Sequence, residues 1–166
     1  MNKSELAKKA SKIKLLLTDN DGVLTDTGVY YSIRGEELKR YSIRDGMGVE
    51  RLRDLAKIPT GIVTGEVSGT VKKRAEKLQI TELYVGVKEK HVLFNKILKK
   101  NNLKPENIAF IGDDMNDYEL IKLVGLSASP SDALEDIRNI VDYVCKNKGG
   151  NGAFREVAEL LIKYNT

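Results

Sequence analysis

At 166 residues the chain is long enough for one domain with a substantial core, and its 41% hydrophobic and 31% charged residues are ordinary for a soluble globular protein. A single cysteine, Cys145, excludes a disulfide framework and, in the mostly apolar run from Val141, is expected to be buried and reduced. The net charge is +4, but the basic residues are dispersed over Lys8-Lys9, Lys72-Lys73-Arg74 and Lys99-Lys100 without interleaved aromatics, which argues against nucleic acid and suits a small anionic ligand.

The polar, lysine-rich start has no apolar run longer than Leu15 to Leu17, so neither a signal segment nor a membrane span is expected, and the protein is read as cytoplasmic. Residues 2 to 11 suit a short helix with Ser4 as cap. Strand one is expected over 13 to 18. Two runs rich in Val, Tyr and Ile, 28 to 33 and 37 to 43, flank Arg34-Gly35-Glu36 and read as a β-hairpin. A helix over 46 to 57 puts Val49, Leu52 and Ala56 on one face, and Pro59 ends it. Strand two is Gly61 to Thr64. A helix over 66 to 78 comes next, then strand three at 83 to 85, a helix over 89 to 100 and strand four at 108 to 111. A helix at 115 to 124, short strands at 126 to 128 and 142 to 145, a helix near 132 to 138 and a last helix at 153 to 163 complete the chain. Strands alternating with helices imply a Rossmann-like three-layer α/β/α fold around a mostly parallel sheet, with the hairpin as an insertion after strand one.

The apolar run before Asp19 stops on two carboxylates, Asp19 and Asp21, with Gly22 after them. The octet Asp19 to Asp26 is a fair turn sequence, and it resembles the opening of a calcium loop. The calcium reading fails on spacing, because position 5 would be Val23, position 6 Leu24 and position 12 Tyr30. Acids at the carboxyl edge of a parallel sheet lie where such folds keep their chemistry. Three further groups obey the same rule. Thr64-Gly65 ends strand two, Lys90 comes after strand three, and Gly112-Asp113-Asp114-Met115-Asn116-Asp117 ends strand four. Each has a plain explanation alone: a helix cap, a surface lysine, a turn. Together they suit phosphoryl transfer. A phosphate monoester repels a carboxylate nucleophile, and a divalent cation between them removes the repulsion.

Magnesium prefers oxygen ligands, so Asp19 and Asp113 are candidate carboxylate ligands and Asp21 a candidate ligand through its backbone carbonyl. Asp19 is the candidate nucleophile, and Asp21 the candidate acid for the leaving oxygen and base for water. Thr64-Gly65 and Lys90 would meet the phosphoryl oxygens. Asp117, with Asp114, would hold Lys90 or metal-bound water from behind.

These residues resemble the four motifs of the haloacid dehalogenase superfamily of phosphotransferases, and the resemblance runs from about Lys14 to Glu159. Within it the chain is similar to small capless phosphatases of 2-keto-3-deoxy sugar acids, acting on octulosonate 8-phosphate or nonulosonate 9-phosphates. The supporting stretches are Arg44-Asp45-Gly46-Met47-Gly48, Arg74-Ala75-Glu76-Lys77-Leu78, Gly86-Val87-Lys88-Glu89-Lys90 and Gly149 to Val157. Spacing agrees that there is no cap domain. Asp21 and Thr64 are separated by 42 residues and Thr64 and Lys90 by 25, too few for a folded lid. The hairpin and a neighbouring subunit are then the candidates to close the site. An isolated hairpin this apolar favours assembly, and the resemblance implies a homotetramer. It also implies that Arg155 meets the substrate carboxylate, within the chain or across a subunit boundary. Glu66, where octulosonate enzymes usually carry Arg, is expected to share a helix face with Lys77 and favours a nonulosonate phosphate; Arg44-Asp45-Gly46 favours octulosonate. Two alternatives are a receiver-type signalling domain and a catalytically weak, oligomerising relative. The embedding of the first acid pair in DGVLTD opposes the former. The intact acid, hydroxyl and lysine set opposes the latter.

Overall fold

The computed structural model describes residues 2–166. Six strands form one sheet in the order β5-β4-β1-β6-β7-β8, every neighbouring pair parallel. They are β1 (Leu15–Thr18), β4 (Thr60–Val63), β5 (Glu82–Tyr84), β6 (Ile108–Ile111), β7 (Leu126–Ser129) and β8 (Tyr143–Val144). The hairpin, β2 (Thr25–Ser32) and β3 (Gly35–Tyr41), is a separate two-stranded antiparallel sheet. Its turn falls at Ile33-Arg34, one residue ahead of the expected position, because Gly35 takes φ 107 at the start of β3.

The helices are α1 (Lys3–Ala10), α2 (Ile43–Ala56), α3 (Gly69–Lys77), α4 (Lys90–Asn101), α5 (Tyr118–Leu123), α6 (Glu135–Ile140) and α7 (Ala153–Asn165). Asn2, not Ser4, caps α1, in a reciprocal pair with Glu5. Successive strand residues point to opposite faces, so the sheet divides the core in two. Leu16, Ile62 and Ile111 face a cluster with Val49, Leu52, Phe154 and Leu161 from α2 and α7. Leu15, Leu17, Val63 and Phe110 face Phe94 and Ile97 of α4, Leu120 of α5 and Ile137 of α6. This is the expected three-layer arrangement, with Cys145 buried as anticipated. Among the described residues no helix is long and apolar enough to cross a membrane.

Two local differences bear on the site. The first turn expected of the 66–78 helix does not form: Glu66, Val67 and Ser68 are irregular and α3 begins at Gly69. Gly86 and Val87 donate backbone hydrogen bonds to the carbonyls of Glu66 and Thr64, which holds residues 64–66 extended against the β5–α4 loop. The helix expected at 115–124 is a 3₁₀ turn (Met115–Asp117) and then α5, since Asp117 is turned inward by its own contacts.

Candidate active site

Sheet order explains why the chemistry-bearing residues meet. From β1 the chain builds outward on one side through β4 and β5, and on the other through β6, β7 and β8. The loops leaving β1 and β6 therefore diverge, and the crevice between their carboxyl ends is where open α/β sheets bind ligands. Asp19 lies just past β1, Thr64 just past β4 and Asp113 just past β6. A cavity of about 170 Å³ there is lined by Asp19, Asp21, Thr64, Gly65, Glu66 and Asp113, with Asp114 and Asn116 beside Asp113 and Thr27 at the base of the hairpin.

The Asp19 main chain is an extension of the sheet, its N–H donating to Ile111 O at 3.0 Å. Its side chain accepts from Lys90 Nζ at 2.8 Å and from the Asn20 N–H at 2.7 Å. Lys90 opens α4, and its ammonium also donates to Asp117 Oδ1 at 2.6 Å, with both side chains fully buried. Burial alone would lower the Lys90 pKa; the Asp19 and Asp117 carboxylates outweigh it and keep the ammonium charged above its ordinary range. Asp117 Oδ2 accepts the Asp113 N–H at 3.0 Å. Asp117 thus ties the β6 loop to α4.

One carboxylate oxygen from each of Asp19, Asp113 and Asp117 lies within 4.8 Å of the others. Burial, then repulsion from Asp117, pushes Asp19 up to about 7 against the pull of Lys90. Burial and repulsion from Asp19, Asp117 and Asp114 push Asp113 to about 8. Asp113 Oδ1 is buried with no hydrogen-bond partner. Clustered hard oxygens, one of them orphaned, fit a divalent cation such as magnesium, which would satisfy that oxygen and relieve the repulsion. Asp117 belongs to the cluster by distance, but both of its oxygens are already engaged by Lys90 and Asp113, so it supports the site from behind. The Gly22 backbone, at φ +80, runs directly against the Asp113 carboxylate, leaving no space there for a Cβ.

Thr64 is buried, its Oγ1 accepting the Glu66 N–H at 3.2 Å. Asp114 accepts from the Met115 N–H at 2.6 Å while facing the cavity.

Two expected residues lie elsewhere. Lys77 ends α3 and lines a groove with Tyr41 and Arg74, outside the cavity. With Glu66 off the helix, the two do not share a helix face. Arg155, in α7, has its Nε at 2.7 Å from Glu159, which also pairs with Arg51, and it does not line the cavity.

Other participants had no clear sequence signal. Asn20 lies between the two acids. It is fully buried, donates to Asp21 Oδ1 at 3.1 Å and accepts from the Tyr41 hydroxyl at 3.2 Å. Its carbonyl takes the Leu24 and Thr25 N–H groups. It therefore joins the acid loop to the hairpin. Lys39 of β3 reaches Asp21 Oδ1 at 2.8 Å, yet in the sequence it is a lysine on a polar strand with nothing to mark it.

A parallel-sheet crevice with a buried aspartate, an acid two residues on, a hydroxyl, a lysine and a cation-fitting acid cluster defines a hydrolase that works through phosphoryl-group chemistry. The model of the haloacid dehalogenase-like hydrolases matches residues 53–157. The 3-deoxy-D-manno-octulosonate 8-phosphate phosphatase of Escherichia coli K12 is 40% identical over 159 residues, covering 96% of this chain and 84% of that protein. The crystal structure of the phosphatase of that name from Yersinia pestis superposes with TM-score 0.93 at 37% identity, covering 97% of this chain and 86% of the other. The one from Moraxella catarrhalis, in complex with magnesium, phosphate and KDO, gives TM-score 0.94 at 34% identity, covering 99% and 94%. The chain belongs to the haloacid dehalogenase-like hydrolase family.

Proposed function

We propose that this protein is a magnesium-dependent phosphatase that releases phosphate from 3-deoxy-D-manno-octulosonate 8-phosphate. The observation that carries the reaction is the buried Asp19, set between the Lys90 ammonium and the cation-fitting Asp113 at the sheet edge. The relatives' shared substrate supports the sugar acid. The case for a nonulosonate 9-phosphate rested on Glu66, where octulosonate enzymes usually carry Arg, together with Lys77 on one helix face; Glu66 lines the cavity, but α3 starts at Gly69 and Lys77 lies outside, so the pair does not act from one face.

In this reading Asp19, Asp113 and the Asp21 backbone carbonyl would hold a magnesium ion, which when bound would screen the substrate's charge from the Asp19 carboxylate and stabilise charge at phosphorus. An Asp19 oxygen forms a bond to phosphorus as the bond to the sugar oxygen breaks, and Asp21 gives that oxygen a proton. Water then bonds to phosphorus, its proton passes to Asp21, and the bond to Asp19 breaks. Thr64 and the Gly65 backbone donate to phosphoryl oxygens, and Lys90 neutralises the charge that develops. Asp114 and Asp117 hold the β6 loop in place.

The protein acts as a homo-oligomer, a tetramer by family resemblance. Tyr30, Tyr31, Ile33 and Leu38 of the hairpin are all exposed, an apolar surface that a second copy would cover. Phosphate release with magnesium from octulosonate 8-phosphate, 2-keto-3-deoxynononate 9-phosphate and N-acetylneuraminate 9-phosphate, measured side by side, tests the substrate. A kcat/KM at least tenfold higher for octulosonate 8-phosphate is expected; a higher value for either nonulosonate refutes it.

A further inference from the structure

Asp21 is anchored from an unexpected direction. Lys39 lies on β3, yet its side chain is only 1% exposed and its Nζ is 2.8 Å from Asp21 Oδ1 and 2.9 Å from Oδ2. The same ammonium is 3.3 Å from Glu36 Oε2. Glu36 accepts in turn from the Ser68 hydroxyl and from Thr70 Oγ1 at 3.3 Å, at the start of α3. A chain of charge-assisted contacts thus runs from the acid loop through two hairpin residues to the segment after Thr64. Asn20 and Thr25 give Asp21 Oδ1 weaker support, at 3.1 and 3.4 Å. Lys39 is the one cation beside Asp21 among the described ion pairs, and it grips both oxygens.

We propose that Lys39 is a positioning residue for the reaction: it fixes the Asp21 carboxylate where it meets the leaving oxygen, and so makes acid–base catalysis depend on the hairpin being seated on the Ser68–Thr70 segment. An acid group must lie within hydrogen-bond reach of the atom it protonates, and a half-buried ion pair to both oxygens fixes a short carboxylate far better than the two weaker contacts. The hairpin's other strand feeds the same place. Thr27, a β-branched residue at φ 67, lies at a break in strand register and lines the cavity. Such a conformation persists only where its surroundings impose it.

This inference rests on the phosphatase reading, and its test separates the two. Lys39→Met and the double variant Glu36→Gln/Lys39→Met, which does not leave the Glu36 carboxylate without its cation, are compared with the wild type on two monoesters. One is an alkyl phosphate, octulosonate 8-phosphate, whose leaving oxygen needs a proton. The other is p-nitrophenyl phosphate, whose phenolate leaves without one. Because kcat/KM ends at formation of the aspartyl phosphate, it isolates the acid step. The variants should lose at least tenfold more kcat/KM on the alkyl ester than on the aryl ester. They should also show a burst of nitrophenolate, since Asp21 would serve the water step poorly. Lys39→Arg, which keeps paired donors, should recover most of the alkyl activity. Equal losses on both esters without a burst, or no loss, overturns the inference. A wild type active on p-nitrophenyl phosphate and simple alkyl phosphates but not on octulosonate 8-phosphate overturns the substrate instead, and the comparison then uses the alkyl phosphate it accepts. A wild type inactive on every monoester overturns both.

Discussion

Replacing Lys90 by Met removes the one cation that, among the described residues, bridges two buried carboxylates. Its Nζ lies 2.8 Å from Asp19 and 2.6 Å from Asp117, and the Asp117 side chain is wholly buried. Breaking a buried pair by deleting one partner typically costs about 3–5 kcal/mol, because the remaining charge stays desolvated. For a chain of this size each kcal/mol moves Tm by about 2–4 °C, so a loss of roughly 6–20 °C is expected. The loss should depend on pH. At pH 8 the stranded carboxylates repel one another; at pH 5 they take up protons and the repulsion fades, so the deficit shrinks. The assay is thermal unfolding of chelator-treated wild type and Lys90→Met at both pH values, with phosphate release measured in parallel. Magnesium should restore part of the variant's stability by sharing the negative charge, but not its turnover, because no ammonium remains to neutralise the phosphoryl oxygens. A Tm within about 2 °C of the wild type at pH 8, or turnover close to the wild type, would falsify the placement of Lys90 as the charge that holds this site together.

Asp19→Asn keeps the shape of the buried side chain while losing the nucleophile, so turnover should vanish with the fold retained by circular dichroism; measurable turnover would move the nucleophile elsewhere. The acid cluster also sets a pH trend in stability. Asp113 is raised from 3.8 to about 8 and Asp19 from 3.8 to about 7, so between those limits the folded chain holds protons that the unfolded chain releases. Stability of the chelator-treated protein should therefore fall as pH rises from 5 to 8. Magnesium, which replaces those protons, should raise Tm more at pH 8 than at pH 5. Equal magnesium shifts at both pH values would separate cation binding from this cluster.

Most of the candidate site could be read without a structure, because its residues lie at strand ends. An apolar run stopping on Asp19 and Asp21, Thr64-Gly65 after the next strand and Gly112 to Asp117 after another are local patterns, and a parallel sheet places every such end on one edge. Alternating side chains likewise made the two core faces predictable, with Leu16 and Leu17 on opposite sides. The reading failed where long-range contacts override local preference. Residues 66–68 looked like a first helical turn, but backbone bonds from Gly86 and Val87 hold the preceding stretch extended. Glu66 and Lys77 were therefore paired by a helical period that does not exist between them. Arg155, assigned to substrate by resemblance and with a subunit boundary in view, pairs with Glu159 within this chain.

The sequence by itself determined the fold class and the edge of the sheet at which Asp19, Asp21, Thr64 and Asp113 gather, since each depends only on strand periodicity and on the residues just past a strand's end. Only the tertiary structure decided how those groups are held. Asn20 fastens the acid loop to Tyr41, Asp117 fastens Lys90 to the β6 loop, and Lys39 reaches from the hairpin to Asp21 across 18 positions of sequence. The physical reason is one of range. Periodicity reports which side of an element a residue faces, whereas an ion pair between separate elements depends on how those elements pack, and nothing local distinguishes Lys39 from the solvated lysines elsewhere in the chain.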